Sequence, residues 1–388
     1  MDRTEGIIKQ ITKNNVLLEL PTGFGKTRNA IELIKKRVNI GGNVLIVIPR
    51  LVLISNWEAE LKKWNCNNYK IHFSTYVSLH KYTGEYDMII CDEAHHLSER
   101  SREFLEAYKS KFFTFLSATV NLDIKYYLKD KYNVQILKVS LSTAIKEDIL
   151  PDPKIVLIPL ELTKHISMEF IINPKGTKEM RCSYAERWIY SKNKNNRVRI
   201  SCSSADYYDY LSGMVEFYKK KAMGGNALMK NRWLQKAMER LKFLANQKTN
   251  EVIKILEELK DERVLTFCAD IQQASRLSCN CITSNNKNAN TILDKFNKGK
   301  INHITACNIL NEGCNLTDCK YGVFVAINSS EVMVTQKIGR ILRHKNPVII
   351  IPYYIHTREE ELVDKILETV SDDNVIVLKD FKKDGIQD

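Results

Sequence analysis

The 388-residue sequence has no apolar run near the roughly 20 residues that cross a bilayer. Its longest apolar runs are short, as at Val44–Ile48 and Val348–Ile351, so we expect no membrane-spanning segment and no membrane partner. The opening residues MDRTEGIIKQ lack the apolar stretch of a secretory signal, which predicts an intracellular protein. With only 8 prolines, 15 glycines and 44% apolar residues, the composition excludes fibrous and disordered classes.

Cysteines are present, but their spacing lacks the patterns of a metal or disulfide framework. None of the 10 cysteines forms a CxxC pair, and a chain of this length does not need disulfides to be stable. Cys279 with Cys281, and Cys314 with Cys319, have no suitably spaced histidines, so no zinc site is predicted. We expect reduced thiols in a cytoplasmic or nucleus-like compartment.

Basic residues are in excess, and they are unevenly distributed. Lys and Arg total 59 against 46 Asp and Glu, a net charge of +13. Residues 164–248 alone carry 18 basic and 7 acidic side chains, including Lys219, Lys220 and Lys221. One interpretation is an arm that grips the phosphates of a nucleic acid. The other is a solvated helical face, which is the usual place for a run of charges.

The chain alternates short apolar runs with helical patterns. Four runs in residues 1–148 are typical of strands buried on both faces: Val16–Leu20, Val44–Ile48, Met88–Cys91 and Phe112–Leu116. Strand-like runs resume at Val264–Phe267, Ile301–Ala306, Val323–Ala326 and Val348–Ile351. This alternation predicts an α/β protein with two parallel-sheet lobes, at 1–148 and 263–388. Residues 149–262 are predicted to hold a connector and a basic, mostly helical insertion.

A glycine-rich turn at residues 18–27, LELPTGFGKT, lies between a predicted strand and a predicted helix. In this arrangement backbone N–H groups and a helix N-terminus point at a phosphate chain. A lysine here reaches the β- and γ-phosphates and the following threonine hydroxyl holds Mg²⁺. The strict P-loop pattern has glycine where this chain has Leu20. The predicted nucleotide-binding residues are Thr22, Gly23, Phe24, Gly25, Lys26 and Thr27.

A second motif, YDMIICDEAHH at residues 86–96, ends in two acidic residues and two histidines around one alanine. Its apolar strand delivers two carboxylates to the edge of the sheet where ligands bind in open α/β folds. We expect Asp92 to complete the Mg²⁺ shell and Glu93 to activate the attacking water. An acidic pair after a strand is usually a solvated turn, but together with the upstream P-loop it indicates an ATPase.

These motifs resemble those of superfamily 2 helicases and translocases, in the order of that family. The segments that carry the resemblance are DEAH (92–95), SAT (117–119), VIPRLVLISNW (47–57), STY (74–76), RVLTFCADIQQASRL (263–277), LNEGCNL (310–316) and QKIGRILR (336–343). The resemblance implies two RecA-like lobes that enclose ATP and Mg²⁺. It also implies catalytic roles for Gln336, Arg340 and Arg343, which would reach the phosphates from the second lobe.

Further roles follow from the same resemblance. It assigns nucleotide binding to Gly313, coupling between nucleotide state and lobe arrangement to His95, Ser117 and Thr119, and nucleic-acid contacts to Arg50 and Thr75. The NW of residues 56–57, the DEAHH run and TREEELVDKIL (357–367) are similar to Swi/Snf-type and phage-type DNA translocases.

We therefore expect an ATP-dependent DNA helicase or translocase with a monomeric core, acting on duplex DNA in preference to RNA. Two alternatives stay open: an RNA helicase with the same ATPase, and a non-translocating ATP switch that acts with an unidentified protein partner.

Overall fold

The structure, a computed structural model, describes residues 3–81, 84–166, 168–172, 180–182, 187–189, 198–283, 286, 288–307, 316, 318–327, 338–339, 341–342, 344–368 and 370–386. The first half contains α1 (Arg3–Lys9), β1 (Val16–Glu19), α2 (Lys26–Arg37), β2 (Asn43–Ile48), α3 (Leu53–Lys63), β3 (Lys70–Thr75), β4 (Glu85–Cys91), α4 (Glu99–Glu106), β5 (Lys109–Ser117), α5 (Leu122–Tyr132), β6 (Gln135–Lys138) and α6 (Leu141–Lys146).

The second half begins with β7 (Lys154–Leu160), β8 (Met168–Ile172), β9 (Met180–Cys182), β10 (Arg187–Ile189), β11 (Val198–Cys202), α7 (Ser204–Ala222), α8 (Ala227–Gln247) and α9 (Thr249–Glu258). It continues with β12 (Val264–Phe267), α10 (Ile271–Leu277), β13 (Cys281–Ile282), α11 (Ala289–Asn297), β14 (His303–Ala306), β15 (Tyr321–Phe324), β16 (Val348–Tyr354), α12 (Arg358–Leu367) and β17 (Val375–Val377).

The first lobe is a six-stranded parallel sheet in the order β3-β2-β4-β5-β1-β6. Its central strands are buried on both faces, as every residue of β1 shows, because helices cover the sheet on either side. All strands run in one direction, so the loop after β1 and the acidic residues after β4 leave the sheet at the same edge. The predicted α/β class with parallel sheets is confirmed.

The second lobe is a seven-stranded sheet in the order β13-β14-β12-β15-β16-β7-β17, again parallel. Strand β7 lies within the segment that the sequence predicts as a connector, yet it pairs with β16 along Lys154–Leu160. The chain thus crosses to the second sheet before the insertion begins. The lobe boundaries themselves stay predictions.

The basic insertion is only partly helical. The prediction of mostly helical structure is wrong for the residues described between 168 and 202, where β8 pairs antiparallel with β11 and β9 pairs antiparallel with β10. Helices begin at Ser204, where Ser203 and Asp206 form a capping box. The two long helices α7 and α8, which we call the hairpin, follow in succession.

The base of the hairpin is attached to the second lobe by buried polar contacts. The Arg358 backbone N–H donates to the Tyr208 hydroxyl at 2.7 Å. Lys248, directly after α8, is fully buried and lies 2.6 Å from Glu359 Oε1 on α12. Burial lowers the pKa of the Lys248 ammonium, while the Glu359 charge opposes that change. A buried pair of this kind fixes the hairpin base relative to α12.

Candidate nucleotide and nucleic-acid site

The loop between β1 and α2 is shaped by two glycines in the left-handed region. Gly23 has φ +90° and Gly25 has φ +92°, a conformation that residues with a side chain adopt at a cost. Gly25 is the N-cap of α2, so no N-cap side chain competes for the first N–H groups of this 12-residue helix. Phe24 is buried and anchors the turn in the core. Exposed N–H groups at a helix start form an anion site.

Lys26 is held at the mouth of this loop. Its Nζ donates to the Leu20 carbonyl oxygen at 3.4 Å and lies 3.8 Å from Glu93 Oε1. The side chains of Lys26 and Glu93 are only 10% and 15% exposed, which strengthens their electrostatic interaction with any ligand. The P-loop cation and the acidic pair, 66 residues apart in the sequence, thus meet at one point.

Asp92 is the most tightly held carboxylate of the site. Trp57 Nε1 donates to its Oδ2 at 2.9 Å, and the Glu93 backbone N–H donates to its Oδ1 at 3.0 Å. The Tyr76 hydroxyl donates to the Asp92 carbonyl oxygen at 2.7 Å. Burial raises the pKa of Asp92 to about 6, as does the neighbouring Glu93, and the Trp57 hydrogen bond and Lys26 oppose this. The buried charge requires a cationic partner.

Glu93 has an unusual backbone and an unused oxygen. Its φ of 50° places it in the left-handed region, which is uncommon for a residue with a side chain. Its Oε2 is buried and accepts no hydrogen bond from the described residues, although His95 Nδ1 lies 3.5 Å away. A strained residue with an orphaned acceptor suits a carboxylate that receives a proton from water.

His95 joins the acidic pair to the end of β5. Its Nδ1 lies 3.0 Å from Ser117 Oγ, and Ser117 Oγ donates to the Thr119 carbonyl oxygen at 2.8 Å. Because the single Ser117 hydroxyl proton is used on Thr119, Nδ1 of His95 is the donor in the other bond. The three residues that resemble a coupling motif therefore form one hydrogen-bonded chain.

The second lobe reaches the P-loop through Gly339. A β-carbon built on Gly339 would lie 2.5 Å from Thr22 Cβ and 3.0 Å from the Thr22 carbonyl oxygen. Only glycine allows the backbone of residues 338–339 to approach the loop so closely. Its neighbours Ile338 and Ile341 are buried, which fixes this segment against the core. The predicted phosphate-binding loop is therefore in close contact with Gly339, within the QKIGRILR segment (336–343) that resembles a family motif.

Four predicted site residues lie outside the described residues: Gly313, Gln336, Arg340 and Arg343. Their roles stay predictions.

The predicted nucleic-acid contacts in the first lobe are neighbours. Arg50 follows β2 and is exposed, and Thr75 ends β3 opposite Ile48 of β2. The Thr75 hydroxyl donates to Ser78 Oγ at 3.0 Å and so shapes the turn. Three apolar side chains in the same loops are exposed to solvent: Leu51, Val52 and Val77. We call residues 50–52 and 75–78 the contact surface.

The three insertion lysines that are predicted to contact nucleic acid are on the hairpin rather than on the contact surface. Lys219, Lys220 and Lys221 form the last turn of α7, where cations interact favourably with the helix dipole. Lys221 Nζ lies 4.4 Å from the centre of the Phe217 ring. Exposed apolar side chains accompany them: Phe217, Met223, Leu228, Leu234 and Met238. This part of the hairpin is both basic and apolar.

Two residues of the site were not predicted as site residues. Trp57 and Tyr76 contact Asp92 directly, and both lie in segments that the sequence indicates only as nucleic-acid contacts. The signal for Trp57 was its position in the family motif; for Tyr76 there was none beyond its place after Thr75.

Comparison with known proteins supports the same class. Residues 2–76 and 62–122 match the family model "Type III restriction enzyme, res subunit", and residues 247–345 match "Helicase conserved C-terminal domain". The DNA 3'-5' translocase XPB2 of Sulfurisphaera tokodaii is 21% identical over 369 residues, covering 89% of this chain and 78% of that protein.

Two solved structures share the fold. The Hef helicase domain of Pyrococcus furiosus superposes with a TM-score of 0.53 and 14% identity, covering 94% of this chain and 97% of that one. S. cerevisiae Dbp5 bound to RNA and ADP BeF3 gives a TM-score of 0.54 and 11% identity, covering 95% and 86%. The two lobes are therefore RecA-like, as the sequence predicted.

Lys26, Asp92 and Glu93 form one edge of the first sheet, which we call the nucleotide edge, and Gly339 of the second lobe contacts the adjoining loop. Together with the matches to helicase domains and to a DNA translocase, this site defines a nucleic-acid-dependent ATPase. The chain belongs to the superfamily 2 helicases and translocases. No helix among the described residues is long and apolar enough to cross a membrane.

Proposed function

We propose that this chain is an ATP-dependent DNA translocase, which couples hydrolysis between its two lobes to movement on, or remodelling of, duplex DNA. The observation that carries the proposal is the contact of Gly339 with Thr22. It joins the second lobe to the loop that holds Lys26, so a change at the phosphates acts on both lobes at once.

The residues of the first lobe have distinct chemical tasks. Lys26 and the N–H groups at the start of α2 bind the β- and γ-phosphates. Glu93, with its orphaned Oε2, accepts the proton of the attacking water. The chain from His95 through Ser117 to Thr119 transmits the state of Glu93 to the end of β5.

The residues fit a magnesium ion. Asp92 is buried, ionisable and held by two N–H donors, and the Thr27 hydroxyl follows Lys26 at the start of α2. Asp92 and Thr27 would hold Mg²⁺, which supplies charge stabilisation at the phosphate oxygens.

The second lobe supplies the remaining charges. Arg340 directly follows Gly339 in the sequence, and Arg343 lies three residues further along it. We assign both as arginine fingers and Gln336 as the residue that senses the γ-phosphate; Gly313 contributes nucleotide binding. An arginine finger contributes about 10³–10⁵ in rate. Because these residues come from the other lobe, hydrolysis depends on lobe closure, and each cycle can displace a bound strand.

One observation favours DNA as the substrate, and a second favours an extended contact with nucleic acid. The relative XPB2 is named as a DNA 3'-5' translocase, and it spans most of this chain. The hairpin adds Lys219, Lys220 and Lys221 to the contacts expected from Arg50 and Thr75, and a cationic arm beyond the two lobes lengthens the grip on phosphates.

The test is steady-state ATP hydrolysis with no nucleic acid, single-stranded DNA, duplex DNA and RNA, followed by displacement of a third strand from a DNA triplex. We expect the strongest stimulation by duplex DNA, together with triplex displacement, and neither with Lys26→Ala. Stimulation by RNA alone would replace the proposal with an RNA helicase. Stimulation by DNA without displacement would indicate a stationary ATP switch.

A further inference from the structure

Of the two buried side-chain donors on Asp92, Tyr76 belongs to the contact surface and Trp57 lies on the helix that follows it. Trp57 lies in the second turn of α3, a helix that begins directly after the exposed residues Leu51 and Val52. Tyr76 lies between Thr75 and the exposed Val77. The two loops adjoin because β2 and β3 pair in parallel up to Ile48 and Thr75. Each loop therefore presents side chains to solvent at one point and a hydrogen-bond donor to Asp92 at another.

The contacts on Asp92 are complementary. The Trp57 indole N–H is a donor only, and it occupies one lone pair of Oδ2 at 2.9 Å. The Tyr76 hydroxyl fixes the backbone of the same residue through its carbonyl oxygen at 2.7 Å. Trp57 is 2% exposed and Tyr76 is 5% exposed, so these bonds are shielded from water. Together they set where the carboxylate points and what movement is permitted.

We propose that Trp57 and Tyr76 are positioning residues that couple the contact surface to Asp92, so that nucleic acid bound at this surface promotes hydrolysis by orienting the metal-binding carboxylate. This inference rests on the proposed function of Asp92 and of the contact surface. The bound strand contacts Arg50 and the exposed apolar side chains of residues 51, 52 and 77. A shift of the first loop is transmitted through α3 to the Trp57 hydrogen bond, and a shift of the second through the Tyr76 backbone to the Tyr76 hydrogen bond.

Single-group deletions test the coupling. Trp57→Phe removes the N–H donor and retains an aromatic ring, and Tyr76→Phe removes only the hydroxyl. Residues that hydrogen-bond to a metal ligand contribute about 10–100-fold to metal affinity or activity. We expect Trp57→Phe to raise the half-saturating Mg²⁺ concentration about tenfold, toward the lower end of that range. The hydrogen bond from Tyr76 joins two neutral groups and is weaker, so Tyr76→Phe should raise the half-saturating Mg²⁺ concentration about threefold.

The chain offers a matched control for each variant. Trp64, just after the same helix, donates from Nε1 to Glu60 Oε2 at 2.8 Å, so Trp64→Phe deletes an indole hydrogen bond to a carboxylate other than Asp92 and retains an aromatic ring beside Arg28. Tyr108 donates from its hydroxyl to the Leu79 carbonyl oxygen at 2.8 Å and is buried like Tyr76. Trp64→Phe and Tyr108→Phe should retain the wild-type Mg²⁺ dependence.

The experiment measures three quantities for all five proteins: Mg²⁺ half-saturation of hydrolysis, the ratio of duplex-DNA-stimulated to basal rate, and binding of a fluorescent ATP analogue in EDTA. Support requires that Trp57→Phe and Tyr76→Phe change the first two and leave the third at the wild-type value. A merely structural role would weaken nucleotide binding as well. Unfolding of Trp57→Phe, detected by circular dichroism, leaves Tyr76→Phe as the deciding variant.

The inference is overturned if the folded site variants match their controls in Mg²⁺ dependence or in the stimulation ratio. Failure of the proposed function gives a different pattern, because the wild-type protein itself would then show no stimulation by duplex DNA.

Discussion

The nucleotide edge of the first lobe and the hairpin of the second are both rich in charge, but they hold it differently. At the nucleotide edge, Lys26, Asp92 and Glu93 are almost buried, and each has defined polar neighbours. On the hairpin, Lys220 and Lys221 are exposed at the end of a helix. The electrostatic energy of buried charges depends strongly on their distances, because the dielectric constant around them is low. Exposed charges are screened by water and salt, so their effect on a charged partner depends mainly on how many there are. The same residue types therefore serve chemistry in one region and attraction in the other.

The largest effect is expected at the nucleotide edge. Lys26→Ala removes the cation that faces the phosphates and should lower ATP turnover by at least about 100-fold. Lys36→Ala, an exposed position on the same helix, is the control and should leave turnover unchanged. Steady-state hydrolysis measures both. Undiminished turnover in Lys26→Ala would remove the P-loop assignment.

Glu93→Gln should separate binding from chemistry. The amide is nearly isosteric but cannot accept the proton of water, so hydrolysis should fall by about 10²–10⁴ while ATP stays bound. Single-turnover hydrolysis and retention of labelled ATP measure the two effects. Glu99→Gln, an exposed glutamate at the start of α4, is the control. Wild-type hydrolysis in Glu93→Gln would show that another group activates the water.

The base of the hairpin should behave like the nucleotide edge rather than like the hairpin tip. Lys248→Met leaves the Glu359 carboxylate buried without its cation, which costs about 3–5 kcal/mol in the free energy of unfolding. The control is Lys254→Met, which breaks an exposed Lys254–Glu251 pair on the adjacent helix and should have little effect. Urea denaturation compares them. Equal midpoints would contradict a buried anchoring role.

The smallest effect is expected from the hairpin lysines. Neutralising Lys219, Lys220 and Lys221 together should weaken DNA binding and reduce the slope of log K against log salt by about 2–3, since each phosphate contact contributes about 0.9. A matched triple variant of Lys109, Lys129 and Lys131, three exposed lysines of the first lobe that are not predicted to contact nucleic acid, should retain the wild-type slope. If the hairpin triple variant has the same slope as the wild-type protein, the hairpin lysines belong to a solvated face that does not contact DNA.

Much of the fold could be predicted because its central strands are buried on both faces. Val44–Ile48 is continuously apolar for this reason, and the helices on either side cannot be mistaken for strands. Strand Lys70–Thr75 was not predicted, since it lies at the edge of the sheet and mixes exposed and buried residues. The described residues between 168 and 202 are strands rather than the predicted helix, and the pattern did not show this because these strands are only three to five residues long and have no long apolar run.

The predicted parts of the candidate site lie within short motifs, whereas the unpredicted contacts join residues far apart in the sequence. Lys26 and Glu93 lie in short motifs whose chemistry is local: a turn of fixed shape and a strand end. The contact of Trp57 with Asp92 spans 35 residues and depends on how α3 packs against the sheet. The family motif marks Trp57 but not its partner, because an indole that packs and an indole that donates look the same in sequence.

The sequence by itself determined the class of protein: glycines that permit a phosphate-binding turn, carboxylates at a strand end, and a second set of strands for a second lobe. These are local properties, since they follow from backbone freedom, burial pattern and ionisable groups at fixed spacing. Only the tertiary structure decided that β7 joins the second sheet, that Gly339 covers Thr22, and that Trp57 and Tyr76 hold Asp92. Such contacts depend on distances between segments far apart in the chain, and these distances are set by the packing of the whole core.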